Sequence, residues 1–202
     1  LTWLDAEIER QQAGVDERKL IIALGMAGRK IGRSDLPLTE HDRLEAHALR
    51  TGWQPELWGT DEAARAAILL ATYAGDDAAF ASRVDRLCSN AEVTELVAYL
   101  KAFAIFPAAK HLHDRAREGV RSSVKPVFEA TACHNPYPFD YFDQTAWNQM
   151  VVKAVFVGTS IKSIVGITER ANPDLRRMLR DLISERHAAG RSVPADVRNY
   201  VA

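Results

Sequence analysis

Residues 133–142, Cys-His-Asn-Pro-Tyr-Pro-Phe-Asp-Tyr-Phe, set an imidazole, an amide and a carboxylate among four aromatic rings and two prolines. Two kinds of chemistry are open to such a stretch. His134 or Asp140 can serve as a general base on a small substrate, or the rings and polar groups together can hold a ligand without reacting with it. The prolines stiffen the segment toward extended backbone, and Tyr137, Phe139, Tyr141 and Phe142 carry too much apolar area to be left in water. The segment is therefore expected to fold inward, with His134, Asn135 and Asp140 at the mouth of a groove between helices. The plain alternative is that it pins an ordered connection to the body of the protein, its hydroxyls satisfied by backbone carbonyls.

The helix expected after Asp143 supplies the next candidates. Trp147, Met150, Val151, Ala154 and Val155 recur at helical spacing as an apolar stripe, and Asn148, Gln149 and Lys153 fall on the other side. The two amides can hydrogen-bond a small polar ligand or simply bridge neighbouring backbone. Lys153, one turn beyond Gln149, can neutralise an anionic group or be a solvated lysine. Arg170 opens a basic cluster with Arg176, Arg177 and Arg180, read either as a solvated face paired with Asp174 and Asp181 or as an anion site at a helix start. The candidate ligand-binding set is thus His134, Tyr137, Asp140, Tyr141, Trp147, Asn148, Gln149, Lys153 and Arg170.

Other chemistries find no support. His111 and His113 are two residues apart, so a helix turns them to different faces and one metal ion cannot easily take both. HExxH, P-loop, GxGxxG and GxSxG patterns are absent. Cys88 and Cys133 are too isolated for a metal or redox site and read as small buried hydrophobes, while Asp76-Asp77 reads as helix capping. No metal or cofactor is expected. A net charge of −1 offers no basic field for nucleic acid or an anionic membrane surface. The longest apolar runs fall short of a bilayer, and the opening Leu-Thr-Trp-Leu-Asp-Ala-Glu lacks a basic leader region, so a cytoplasmic protein is expected.

The elements that must position these residues are helical throughout. Leu20, Leu24, Ala27 and Ile31 form one stripe, ended by Leu36-Pro37. Thr39 caps a helix bearing Leu44 and Ala48 that stops near Gly52, and Thr60 caps an Ala-rich helix running to Gly75. Asp76 starts a helix with Phe80, Val84, Leu87 and Cys88 on one face. Val93, Leu96, Val97, Leu100 and Phe103 share a face until Pro107, and Arg-rich and Pro126-led helices follow. Asn172-Pro173-Asp174 caps a helix with Leu175, Met178, Leu179, Leu182 and Ile183 inward, ending at Gly190, and a short helix begins at Pro194. Short helices with tight connections imply an all-α fold of stacked antiparallel αα-hairpins, arranged as an irregular bundle or as a HEAT/TPR-like α-α superhelix. One domain over 1–202 is expected, divisible into a hairpin array (1–125) and a C-terminal segment (126–202).

The runs His134-Asn-Pro-Tyr-Pro-Phe-Asp-Tyr, Ala146-Trp-Asn-Gln-Met-Val-Val-Lys-Ala-Val-Phe-Val-Gly158, Arg170-Ala-Asn-Pro-Asp-Leu and Glu185-Arg-His-Ala-Ala-Gly-Arg191 resemble the EboA family, chiefly over the C-terminal third. The resemblance implies a bacterial protein encoded beside a UbiA-type prenyltransferase, two TIM-barrel proteins, a dehydroquinate-synthase-like enzyme and a phosphodiesterase-like protein. Such clusters are associated with making or exporting secondary metabolites. It transfers no catalytic residue. The expected role is a non-enzymatic binding or adaptor protein that holds a metabolite, or a partner protein of the same cluster. The competing expectation is a cofactor-independent enzyme on a small anionic metabolite, with His134 or Asp140 as base and Lys153 or Arg170 holding the anion.

Overall fold

Side-chain caps explain where most of the helices begin. In the computed structural model, which describes residues 2–200, the side chains of Thr2, Asp16, Thr39, Asp76, Asp143 and Asn172 each accept a first-turn N–H. The helices are α1 (Trp3–Ala13), α2 (Glu17–Lys30), α3 (Glu40–Leu49), α4 (Thr60–Leu70), α5 (Asp77–Asn90), α6 (Val93–Ala102), α7 (His113–Arg121), α8 (Lys125–Ala132), α9 (Tyr137–Tyr141), α10 (Gln144–Val157) and α11 (Pro173–Ala188). Short 3-10 segments lie at Pro55–Leu57, Ala109–Leu112, Ile161–Ser163 and Ala195–Tyr200. Among the described residues, extended pairing is confined to one antiparallel bridge between Asp35 and Gly59. The fold is all-α.

The even-numbered helices touch in succession, α2 on α4, α4 on α6, α6 on α8 and α8 on α10, with α1, α5, α7 and α11 packed on this row. That order resembles a helical-repeat stack without a fixed period. Its core is one continuous cluster reaching from Leu20 and Leu24 through Ile68, Phe80, Tyr99, Phe103 and Phe128 to Trp147, Leu175 and Val197. Charged groups also lie inside, Glu7 of α1 and the Arg65–Asp61 pair of α4. Arg65, 2% exposed, donates from Nε to the Leu24 carbonyl at 3.1 Å and pairs with Asp61 one turn earlier, so this buried charge is satisfied on both sides.

Several expectations are corrected. Helix α1 was not among the expected helices, because its inward positions include Glu7 and Gln11 and leave no apolar stripe. Leu44 and Ala48 of α3 are exposed and Ala46 is the buried residue. Helix α4 starts at Thr60 itself, so its cap is Gly59, whose N–H donates to the Glu62 carboxylate at 2.8 Å, and it ends at Leu70 rather than Gly75. The stretch expected to be extended holds α9. Proline lacks an N–H, and first-turn N–H groups have no helical partner, so Pro136 and Pro138 fit at a helix start. Asn135 then locks the turn by accepting the Tyr137 N–H at 3.0 Å.

Candidate functional site

The aromatic segment does fold inward, and its rings are absorbed by the core. Tyr137 is fully buried, its ring 5.7 Å from Phe103 and 4.7 Å from Tyr141, and its hydroxyl donates to the Ala109 carbonyl at 2.7 Å. Burial pushes that phenol well above its ordinary pKa. Asn135 was expected at a groove mouth and is instead buried, donating to the carbonyls of Leu100 and Ala130 at 3.0 Å each. Asp140 pairs with Arg50, whose Nε donates to the Ala104 carbonyl at 3.0 Å. Trp147 is fully buried, edge-on to Phe139 at 6.4 Å, with the Arg170 guanidinium 4.5 Å from its ring centre. Arg170 also donates to the carbonyls of Pro138 and Phe139 at 3.1 and 3.0 Å, and so fastens α9.

The polar side of α10 divides in a way the stripe did not indicate. Asn148 is buried and exchanges two hydrogen bonds with Asn172, the cap of α11, at 2.9 and 3.2 Å. Lys153 is not a solvated lysine: it donates to the carbonyls of Val120 and Ser122 at 2.7 Å each, closing the end of α7. Desolvation lowers its pKa. Gln149 stays exposed and meets Lys153 beside Arg117 and Arg121 at a hollow of only ≈ 70 Å³. Of the basic cluster, Arg177 pairs with Asp174 at 3.0 Å on the surface, whereas Arg170 belongs to the Trp147 contact. His134, Asp140, Lys153 and Arg170 thus serve four separate sets of partners.

His134 alone of the candidate set opens onto the large cleft. This hollow, ≈ 530 Å³, is walled by Leu57 and Trp58, by Val97 and Lys101 of α6, by Pro126, Glu129 and Ala130 of α8, by Cys133 and His134, and by Thr159, Ser160 and Ser163 after α10. His134 has a left-handed backbone (φ 52°), a conformation costly for a residue with a Cβ and associated with functional sites. Its N–H donates to the Ser163 carbonyl at 2.7 Å and its Nδ1 lies 2.8 Å from Gln54 Oε1, so three chain segments meet on this residue. Partial burial, and then the Lys101 charge, hold its pKa below the ordinary histidine value.

The rest of the wall mixes apolar and polar groups, Val97 with Lys101 on α6 and Pro126 with Glu129 on α8. Lys101 reaches Glu62 at 2.7 Å and the Leu57 carbonyl at 3.2 Å. Thr159 donates to Glu129 at 2.8 Å, and burial pushes the Cys133 thiol up to about 11. Trp58, 5% exposed, also borders a second, mostly apolar hollow of ≈ 300 Å³ beside Leu38, Leu49, Ala63 and Leu70. Sequence reasoning missed Lys101, Glu129 and the 159–163 turn. The available signal was three hydroxyl residues, Thr159, Ser160 and Ser163, within five positions of the Gly158 helix stop. Among the described residues no group of three His, Cys, Asp or Glu side chains is placed to hold a metal, and no helix is long and apolar enough to cross a membrane.

Comparison with known proteins agrees with the resemblance and extends it. The family model described as metabolite traffic protein EboA matches residues 1–202, so the chain belongs to the EboA family over its whole length and not over its C-terminal third alone. No curated protein and no solved structure matches the chain.

Proposed function

We propose that this member of the EboA family is a non-enzymatic binding protein that holds a small metabolite of its gene cluster in the cleft beside His134, keeping it for the proteins that make or export it. The observation that carries this reading is the cleft itself. Its volume of ≈ 530 Å³ lies in the range of small-molecule sites, and its lining combines apolar Leu57, Val97 and Pro126 with a few fixed polar groups. The family description, a metabolite traffic protein, supports the same class of role. The residues proposed for chemistry favour holding over turnover. Asp140, Lys153 and Arg170 each serve helix ends and turns elsewhere, and none of them stands beside His134.

The test is native mass spectrometry of the protein purified from cells that express the whole cluster, compared with Val97→Trp, which fills the cleft from a half-exposed position of α6. A small-molecule adduct on the wild type that disappears from a normally folded Val97→Trp protein is expected. An adduct retained by the filled variant, or its absence from both, would overturn the proposal.

A further inference from the structure

The hydrogen-bonding groups of the cleft are committed unevenly. Every hydroxyl hydrogen on its wall already has a protein acceptor: Thr159 donates to Glu129 Oε1 at 2.8 Å, Ser160 to Asp196 at 2.6 Å and Ser163 to the Ser160 carbonyl at 2.6 Å. Lys101 directs two of its three N–H bonds to Glu62 and to the Leu57 carbonyl. Acceptors make up most of what is left. Glu129 Oε2 has no partner among the described residues, and each hydroxyl oxygen keeps lone pairs. His134 adds another acceptor. Nδ1 lies 2.8 Å from the Gln54 carbonyl oxygen, and the tautomer that can donate to that oxygen leaves the lone pair on Nε2. The residue is held in place by its left-handed backbone and by the bond from its backbone N–H to the Ser163 carbonyl.

Charge points the same way. The charges of the wall come in pairs, Lys101 with Glu62 at 2.7 Å and Glu129 with Lys125 one turn earlier at 3.6 Å, so among the described residues the wall offers an anion no unpaired cation. We infer, building on the metabolite-binding reading above, that the cleft selects a neutral or cationic ligand rich in hydrogen-bond donors, a polyhydroxylated or amine-bearing amphiphile, and discriminates against carboxylates and phosphates. The donors of such a ligand meet Glu129, His134 Nε2 and the hydroxyl oxygens. Its apolar side lies on Leu57, Val97 and Pro126. An anion there would leave those acceptors unpaired and face the Glu129 carboxylate at close range, which is how polar sites discriminate.

Three probes of one aromatic body and different head groups separate the possibilities: 2-phenylethanol, 2-phenylethylamine and phenylacetate, titrated at pH 7.5 against the full chain and followed by amide and histidine NMR shifts. The alcohol and the amine are expected to shift resonances of Lys101, Glu129 and His134, with phenylacetate weaker by on the order of tenfold or more. Glu129→Gln, which keeps the shape of the side chain, should weaken the amine more than the alcohol and narrow the gap to phenylacetate. Phenylacetate bound in the cleft as tightly as the other two would overturn the donor selectivity and leave the metabolite-binding reading standing. If none of the three perturbs the cleft, both fall together. Nitrogen shifts of the His134 ring give an independent check: a proton on Nε2 instead of Nδ1 would overturn the inference whatever the probes do.

Discussion

Asn135→Ala should destabilise the fold far beyond what the size of the change implies, because one buried amide serves three backbone groups. It donates to the carbonyls of Leu100 and Ala130 and accepts the N–H of Tyr137, each at 3.0 Å. The Leu100 carbonyl keeps a second donor, the Phe103 N–H at 3.3 Å. The Ala130 carbonyl does not, because the amide one helical turn on, that of His134, is turned to Ser163. The variant therefore orphans one carbonyl and one N–H in a place that is 3% exposed. At ~1–3 kcal/mol for each buried group without a partner, the loss is roughly 2–6 kcal/mol, toward the lower end if water enters the vacated space. Urea unfolding at unchanged slope measures it. Asn135→Asp sharpens the test. The new carboxylate still accepts from Tyr137 but sets an oxygen against two carbonyl oxygens, so at pH 7 it should be the less stable of the two and recover on acidification, when it can donate once. A midpoint for Asn135→Ala equivalent to a loss under about 1 kcal/mol, or an Asp variant insensitive to pH, would show that the amide does not tie α6, α8 and α9 together.

Gly166→Ala combines a left-handed backbone (φ 80°) with a Cβ 1.9 Å from Phe139 and should lose about 2–5 kcal/mol, whereas Gly158→Ala, with φ 75° and open space, should lose only about 1–2 kcal/mol. Equal losses would mean that Phe139 is free to move aside. The His134 pKa is lowered in the folded state, so the unfolded chain takes up the proton first. The wild type should therefore lose stability relative to His134→Gln as pH falls through about 6.5, and parallel pH profiles in calorimetry would contradict that. Burial pushes the Cys88 thiol up to about 12 and the Cys133 thiol up to about 11, so both should resist Ellman's reagent at pH 8 in the native protein and react on unfolding. Lys153→Met frees the carbonyls of Val120 and Ser122 and should cost about 1–3 kcal/mol, read as a fall in melting temperature.

The helical architecture was legible because packing leaves a local trace. The stripe of Leu20, Leu24 and Ala27, the Asp76, Asp143 and Asn172 caps, and the face of Phe80, Val84, Leu87 and Cys88 all stand where spacing and capping chemistry put them. The reading failed where a local preference was outweighed by a distant partner. Residues before proline avoid helix only as a bias, and Asn135 with the Tyr137–Ala109 bond outweighs it in α9. Periodicity put Asn148 opposite the apolar stripe, free for a ligand or for neighbouring backbone, yet it is buried and its partner is an amide 24 positions later. The cleft left least trace of all. Its walls come from residues near 57, 97–101, 126–134 and 159–163, and nothing in any one stretch says that the others will arrive. His134 was found because a histidine beside two prolines stands out; Lys101 and Glu129 look like ordinary helix-surface residues until the helices are packed.

Trp58 turns the double-walled position of its indole into an instrument. Of the four tryptophans it is the one bordering both hollows, and it stands edge-on to Trp53 at 5.8 Å. Emission from this pair will respond to a guest in either chamber, so occupancy can be followed optically in the unlabelled protein, and a Trp147→Phe background removes the other deeply buried emitter.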